Sequence, residues 1–269
     1  MTTSLHRDLC ALGLTLGLVG TVVATGASPT ASSAIRYVEG KAYASDGHLM
    51  YTESHWIDDN DGNLSRLVLY RCPDGKPFAR KTLHDDGSAQ APDFVLDDGR
   101  TGYREGVRRA GGKREIFVRD GKDAPVRTAT LATSPMPVID AGFDAYIRAH
   151  WDTLGKEGSS LPFLVPSRLG PLNFRVKRQA DGRIEGHAAR LYRLRLDSMI
   201  GFALPHLDVA YDAETRELLS FDGIANIRSS RGKNVSAKIL FDPSKHKDVS
   251  RADLKAVAKA PLDGQCAIP

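Results

Sequence analysis

Hydrophobic and polar positions alternate through much of this chain, and alternation with a period of two predicts β-strands. In the segment 49–57, Leu49, Tyr51, Glu53, His55 and Ile57 share one face of a predicted strand, and the intervening residues share the other. Asp-Gly pairs, which supply the positive φ angles of tight hairpin turns, recur every 12 to 15 residues between positions 46 and 98. Further strands are predicted over 77–84, 92–96, 101–109, 114–119 and 125–130. This half of the chain is therefore predicted to form an antiparallel meander.

After position 140 the spacing of apolar residues changes to that of an amphipathic helix. The residues on its single stripe are Phe143, Tyr146, Ile147, His150, Trp151 and Leu154. Asp140 is placed to cap the start of this helix, and Gly155 is placed to end it. The apolar segment 161–166, which contains two prolines, is predicted to be a loop.

Strands are predicted again in the last third of the chain, over 174–178, 184–197, 207–211, 218–227 and 234–241. Near the end, Ser250 and Asp253 approximate a capping box, which predicts a short terminal helix that reaches about Lys259. No stretch of residues 35–269 has the composition of a flexible linker. We therefore expect one α+β domain with a large antiparallel sheet that is interrupted by a helix.

The first 34 residues have the layout of a secretory signal peptide. The uncharged run Ala11–Ala24 has 14 residues, whereas a membrane-spanning helix needs roughly 20. Small residues at Ala31 or Ser32 and at Ala34 place the mature start near Ile35, with Ala27 as an earlier alternative. No second apolar run of membrane length follows, so we expect a soluble periplasmic protein, with secretion beyond the periplasm left open, and not an integral membrane protein.

Two cysteines remain after the predicted cleavage, Cys72 and Cys266. In an oxidising compartment two cysteines usually pair, so a disulfide between them is expected; two separately buried thiols remain the alternative. The absence of a C-x-x-C motif argues against a redox enzyme or a zinc ribbon.

Charge and motifs exclude several classes of function. The 37 basic and 33 acidic residues are mixed along the chain, so nucleic acid is not an expected partner. Gly-x-Ser-x-Gly, phosphate-binding loops and dinucleotide fingerprints are all missing, and no cofactor is expected. The acidic run 58–62 is read as a hairpin turn, because a calcium loop registered on Gly62 would place Ile57 at its first ligand position. No metal site is predicted.

Glu53 and His55 are the candidate catalytic residues, because both project from one face of one predicted strand. A carboxylate and an imidazole placed in this way can act as an acid/base pair. The alternative is a half-exposed strand face that carries an ordinary cross-strand ion pair.

Part of the C-terminal half resembles a family of exported bacterial proteins of unknown function. The matching residues are Tyr211, Asp212, Thr215, Leu218, Leu219, Phe221, Gly223, Ile224, Asn226, Ile227, Gly232, Lys233 and Phe241. The order of meander, helix and further strands also resembles the LolA/LolB-type lipoprotein carriers. This resemblance implies a curved, half-barrel-like sheet, a helix packed on its concave face, and a hydrophobic ligand or lipid moiety held there.

The aromatic helix and the proline-rich segment after it supply the candidate ligand contacts, namely Phe143, Tyr146, Ile147, Trp151, Phe163 and Leu164. The alternative is that this stripe is simply core. The leading prediction is an exported binding or carrier protein for a hydrophobic small molecule or lipid moiety. The alternatives are an envelope enzyme that uses Glu53 and His55, and a structural or interaction protein whose partner is another envelope protein.

Overall fold

The computed structural model describes residues 34–60, 63–85, 88–198 and 206–269, so the predicted signal peptide lies outside the described residues. The first eight strands are β1 (Ile35–Tyr43), β2 (Leu49–Asn60), β3 (Asn63–Arg71), β4 (Pro77–His84), β5 (Asp93–Asp98), β6 (Arg104–Ala110), β7 (Lys113–Arg119) and β8 (Arg127–Thr130). Helix α1 (Gly142–Ala149) follows them. The later elements are β9 (Ser159–Val165), β10 (Gly170–Arg178), β11 (Gly182–Ile184), β12 (His187–Leu196), β13 (Leu207–Asp212), β14 (Leu218–Arg228), β15 (Asn234–Phe241), β16 (Lys247–Val249) and α2 (Arg251–Ala258).

All the named strands join in one antiparallel sheet. Its order runs from β8 back through the meander to β1, and then through β15, β14, β13, β12 and β10 to β9. The first and last long strands therefore pair with each other, with Gly40 of β1 opposite Phe241 of β15. Strands β8 and β9 lie at the two ends, so the sheet is open and curved rather than closed into a barrel. The predicted large antiparallel sheet is confirmed at this level.

The turn chemistry explains the meander. Gly47 and Gly75 have φ angles of 84° and 87° in the first two Asp-Gly turns that the structure describes, as the Asp-Gly pattern predicted. Between β5 and β6 the positive φ angle falls on Gly102 instead of Gly99. The pair at 222–223 forms no turn, because both residues lie inside β14.

The two faces of the sheet have different coverings. Directly opposed residues on antiparallel strands share a face, and one such row across the first five strands is Val38, His55, Val68, Lys81 and Leu96. We call the face that carries this row the cavity face. Helix α1 and the turn after it pack on this face, against the aromatic rings of β9, β12 and β13. On the opposite face, α2 and the chain after it cover Trp56, Leu67 and Leu69.

The segment 161–166, predicted as a loop, is mostly strand β9. Its prolines are tolerated because β9 is the last strand of the sheet, where Pro162 pairs with Asn173 on one side only. The outer side of β9 is partly covered by Val138, whose N–H donates to the carbonyl of Pro162 at 2.8 Å. Pairing with β10 on one side and with Val138 on the other fixes the position of Phe163 in the sheet.

The start of helix α1 also differs from the prediction. Ala141 is the N-cap residue and makes no capping bond with its side chain. Asp140 adopts a positive φ angle of 46°, and its carboxylate instead binds Lys81 of β4. At the other end the helix stops at Ala149, and the stripe continues through a turn that buries Trp151 and Leu154.

The C-terminal predictions hold. Ser250 and Asp253 form the predicted capping box at the start of α2. Cys72 and Cys266 form a disulfide with 5.5 Å between their Cα atoms, which joins the end of β3 to the C-terminal tail. Neither helix described by the structure is long and apolar enough to cross a bilayer.

Candidate ligand-binding cavity

The cavity face lines a partly open cavity of about 410 Å³. Its walls come from β2 to β6 on one side and from β9, β10 and β12 to β15 on the other, with α1 and the residues before it between them. This volume lies in the range of pockets that bind small molecules. The walls divide into an apolar end and a polar end.

The apolar end is built mainly by the second half of the sheet and its return strands. Its side chains are Phe163, Leu172, Phe174, Leu194, Leu207, Val209, Leu218, Phe221, Ile224, Ile239 and Phe241. Phe163 makes edge contacts with Phe143 of α1 and with Phe174, at 6.2 and 6.0 Å between ring centroids. Rings in such contacts are held in fixed positions, so this end is a preformed apolar wall.

The polar end contains the candidate pair Glu53 and His55. His55 Nε2 lies 3.1 Å from Glu53 Oε2, and the imidazole packs against the ring of Phe241. Burial lowers the pKa of His55, although the hydrogen bond to Glu53 opposes the shift, so the imidazole is neutral at neutral pH.

A second polar group ties α1 to both halves of the sheet. Asp144 of α1 accepts a hydrogen bond from Arg66 of β3 at 3.3 Å and another from the hydroxyl of Tyr211 of β13 at 2.8 Å. Burial alone would raise the pKa of Asp144. The charges of Arg66 and Arg148 and the bond from Tyr211 outweigh that effect, and the pKa lies below its usual value.

A third polar group joins β4, β6 and β14. Lys81 Nζ binds the Asp140 carboxylate at 2.8 Å, and the amide of Asn226 donates to both Asp140 and Glu105. The hydroxyl of Tyr103 donates to the other oxygen of Glu105 at 2.6 Å. Burial raises the pKa of Glu105 even though both hydrogen bonds favour its charged form.

Half of the residues predicted to contact a ligand line this cavity, namely Phe143, Phe163 and Leu164. The other three, Tyr146, Ile147 and Trp151, lie outside its lining. Ile147 and Trp151 are buried in the core beneath α1, where Trp151 contacts Tyr192 and Tyr211. Tyr146 stacks on His150 with 4.3 Å between ring centroids.

Glu53 and His55 also line the cavity, as a side-chain pair on one face of β2. No serine, threonine or cysteine side chain of the described residues is hydrogen-bonded to His55. Its catalytic role stays a prediction.

Six further polar residues of the lining were not predicted as site residues: Arg66, Lys81, Glu105, Asp140, Asp144 and Asn226. For two of them, the alternation of polar and apolar residues along the strands contained a signal. Lys81 is in phase with the apolar residues Ala79 and Leu83, and Glu105 is in phase with Tyr103 and Val107. A charged residue on the apolar face of a strand marks a buried polar site. Within the described residues, no group of three or more His, Cys, Asp or Glu side chains is placed to hold a metal ion.

No family model matches this sequence, and no curated protein matches it. Among solved structures, the chain is similar to one described as "putative outer membrane lipoprotein-sorting protein domain" from Vibrio parahaemolyticus. The two chains are 10% identical, the match covers 84% of this chain and 90% of that chain, and the TM-score is 0.23. At this identity and TM-score, the function of this chain has to follow from its own residues.

Proposed function

We propose that this chain is an exported binding or carrier protein that holds a hydrophobic ligand or lipid moiety in the cavity. The observation that carries the proposal is the apolar end of the cavity, where rings and aliphatic side chains from six strands converge on one space of about 410 Å³. A folded domain normally fills such a space with its own side chains, so a large apolar cavity favours a ligand-binding role.

The free energy of transfer from water favours binding of a ligand with an apolar alkyl chain. Transfer from water to such a wall contributes roughly 0.8 kcal/mol per methylene, so about ten buried carbons supply on the order of 8 kcal/mol. Association and ordering oppose part of this gain. The expected affinity is therefore moderate, as a carrier that must also release its ligand requires.

Three parts of the proposal concern place and contact. We infer that the cavity face is the concave side of the sheet and that α1 closes it. Phe143, Phe163 and Leu164 contact the ligand directly, whereas Tyr146, Ile147 and Trp151 hold α1 in position. Export to the periplasm is supported by the predicted signal peptide and by the Cys72–Cys266 disulfide, since disulfides persist in oxidising compartments.

The test uses an uncharged apolar dye, N-phenyl-1-naphthylamine, and two matched variants. Ile224 lines the cavity and is 50% exposed, whereas Val126 is equally exposed but lies outside the lining. Because both side chains are half exposed, Ile224→Asn and Val126→Asn should both leave the fold intact. We expect Ile224→Asn to weaken dye binding about fivefold, because it removes roughly 1 kcal/mol of apolar contact, and Val126→Asn to leave it unchanged.

Fluorescence titration measures both affinities, and thermal unfolding checks both folds. If the wild-type protein does not enhance dye fluorescence, or if the two variants weaken binding equally, the cavity is not the binding site and the proposal fails.

A further inference from the structure

The charges that line the cavity do not balance. Among the described residues its lining includes four carboxylates, Glu53, Glu105, Asp140 and Asp144, but only two permanent cations. Both cations are already engaged, because Arg66 binds Asp144 and Lys81 binds Asp140. Arg66 keeps one buried donor, its Nε–H, without a hydrogen-bond partner among the described residues, but its charge is already paired with Asp144.

Of the two remaining carboxylates, Glu53 is the one with an oxygen that accepts no hydrogen bond from the described residues. Both oxygens of Glu105 already accept hydrogen bonds, from Tyr103 and Asn226. Glu53 is 7% exposed, and its Oε2 is bonded to His55. Its Oε1 has no hydrogen-bond partner, and no Lys or Arg nitrogen of the described residues lies within 4.0 Å of the carboxylate.

Tyr70 adds a second polar group at the same place. It stands directly opposite Glu53 on the neighbouring strand and lines the cavity, although only 3% of the residue is exposed. Its hydroxyl has no hydrogen-bond partner in the part of the chain that the structure describes. Directly opposed side chains have Cβ atoms about 5 Å apart, so both groups can contact one small head group.

We propose that the ligand carries a protonated amine at one end of its apolar chain, and that Glu53 and Tyr70 bind this amine. An ammonium group supplies three donors and one positive charge, which match the carboxylate oxygen of Glu53 and a lone pair of the Tyr70 hydroxyl. The alkyl chain of the ligand then runs past Phe241 to the wall formed by Phe163 and Phe221. This assignment rests on the proposed function, because it presupposes that the cavity holds an amphiphile.

An anionic head group does not suit this end of the cavity. A phosphate or carboxylate there faces Glu53, and like charges in a buried site repel each other. The two cations of the lining are each already paired with a carboxylate. Lys81 and Arg66 each belong to a pair in which each side chain is at most 13% exposed, so a ligand anion competes with Asp140 or Asp144 for their charge.

The test compares three probes with the same chain length, namely dodecylamine, dodecanol and dodecanoate. Each displaces N-phenyl-1-naphthylamine below its critical micelle concentration at pH 7. We expect dodecylamine to bind at least tenfold more tightly than dodecanoate, with dodecanol between them.

Variants locate the preference. Glu53→Gln should weaken dodecylamine binding at least tenfold and leave dodecanol within twofold of wild type. Tyr70→Phe, which keeps the ring, should weaken dodecylamine binding severalfold. The control is Glu157→Gln, which removes the same charge from an exposed residue outside the cavity lining and should change nothing. Circular dichroism and thermal unfolding confirm that each variant is folded.

The outcomes separate the two proposals. If dodecanoate binds as tightly as dodecylamine, or if Glu53→Gln and Glu157→Gln have equal effects, the amine assignment is wrong and the apolar binding function stands. If no probe binds and the dye does not bind, both proposals fail.

Discussion

Buried polar contacts of single residues join α1 to the sheet beside the cavity. Asp144 lies on α1 but binds Arg66 on β3 and Tyr211 on β13, so one carboxylate connects both halves of the sheet. The side chains of Arg66 and Asp144 are 10% and 13% exposed. A pair buried to this extent is costly to break from one side, because the other charge is left without a partner.

Replacing Asp144 with Asn should therefore destabilise the protein by about 3 kcal/mol at pH 7. The pKa of Asp144 is lowered in the folded state, so its contribution is complete above the unfolded value of about 3.9 and is lost as the pH falls through the folded pKa. The cost of Asp144→Asn should shrink below about pH 4. Urea unfolding between pH 2.5 and pH 7 measures it.

The matched control for this prediction is Asp152→Asn, since the Asp152 side chain is 80% exposed just beyond α1. This variant should change the free energy of unfolding by less than about 0.5 kcal/mol at every pH. A cost of Asp144→Asn that stays the same at pH 3 and pH 7 would show that the ion pair with Arg66 is not its source.

At the residue scale, sequence reasoning located Glu53 and His55 because two residues on one strand face follow directly from a period of two. It did not locate Asp140 or Asp144 at the cavity. Asp140 was read as a helix cap, and only the tertiary approach of β4 brings Lys81 to its carboxylate. Such partners depend on long-range packing, which local patterns do not encode.

Among the elements, helix α1 shows what periodicity can and cannot predict. The apolar stripe predicted the helix, but it could not tell the part that lines the cavity from the part that packs in the core. Phe143 lies at the cavity, while Trp151 lies 4% exposed among Tyr192, Tyr211 and the guanidinium of Arg190. Both residues have the same apolar character in the sequence.

Trp151→Ala should therefore act on stability, with a loss of about 3–5 kcal/mol in the free energy of unfolding, because it leaves a large hole in the core. The milder Trp151→Phe should remain folded and bind N-phenyl-1-naphthylamine within twofold of wild type. Chemical unfolding and dye titration measure the two effects. A Trp151→Phe protein with normal stability but much weaker dye binding would instead place Trp151 in contact with the ligand.

Strand β9 was predicted as a loop, and that prediction was wrong. Its two prolines favoured a loop, because proline removes a donor from a sheet ladder. The structure makes Pro162 acceptable by placing it in the outermost strand, where one side of the backbone has no ladder to complete. Position within the sheet, which the local sequence does not give, decided this element.

For the whole molecule, the antiparallel sheet could be predicted because its turn residues are recognised locally. The Cys72–Cys266 disulfide could be predicted because only two cysteines follow the predicted signal peptide. Sequence reasoning did not predict that β1 pairs with β15, which brings the first and last long strands together. That pairing places strands β2 to β6, which supply most of the polar end of the cavity, in one sheet with the strands that supply its apolar end. The two-ended cavity, and with it the proposed function, depends on this long-range register.

The central claim is that the cavity holds an apolar ligand, and native mass spectrometry tests it most directly. The full chain should be exported from a bacterial host and purified without detergent. The account predicts complexes heavier than the mature chain that release a small apolar molecule on collisional activation. A folded protein that shows only the mass of the mature chain and takes up no N-phenyl-1-naphthylamine would contradict it.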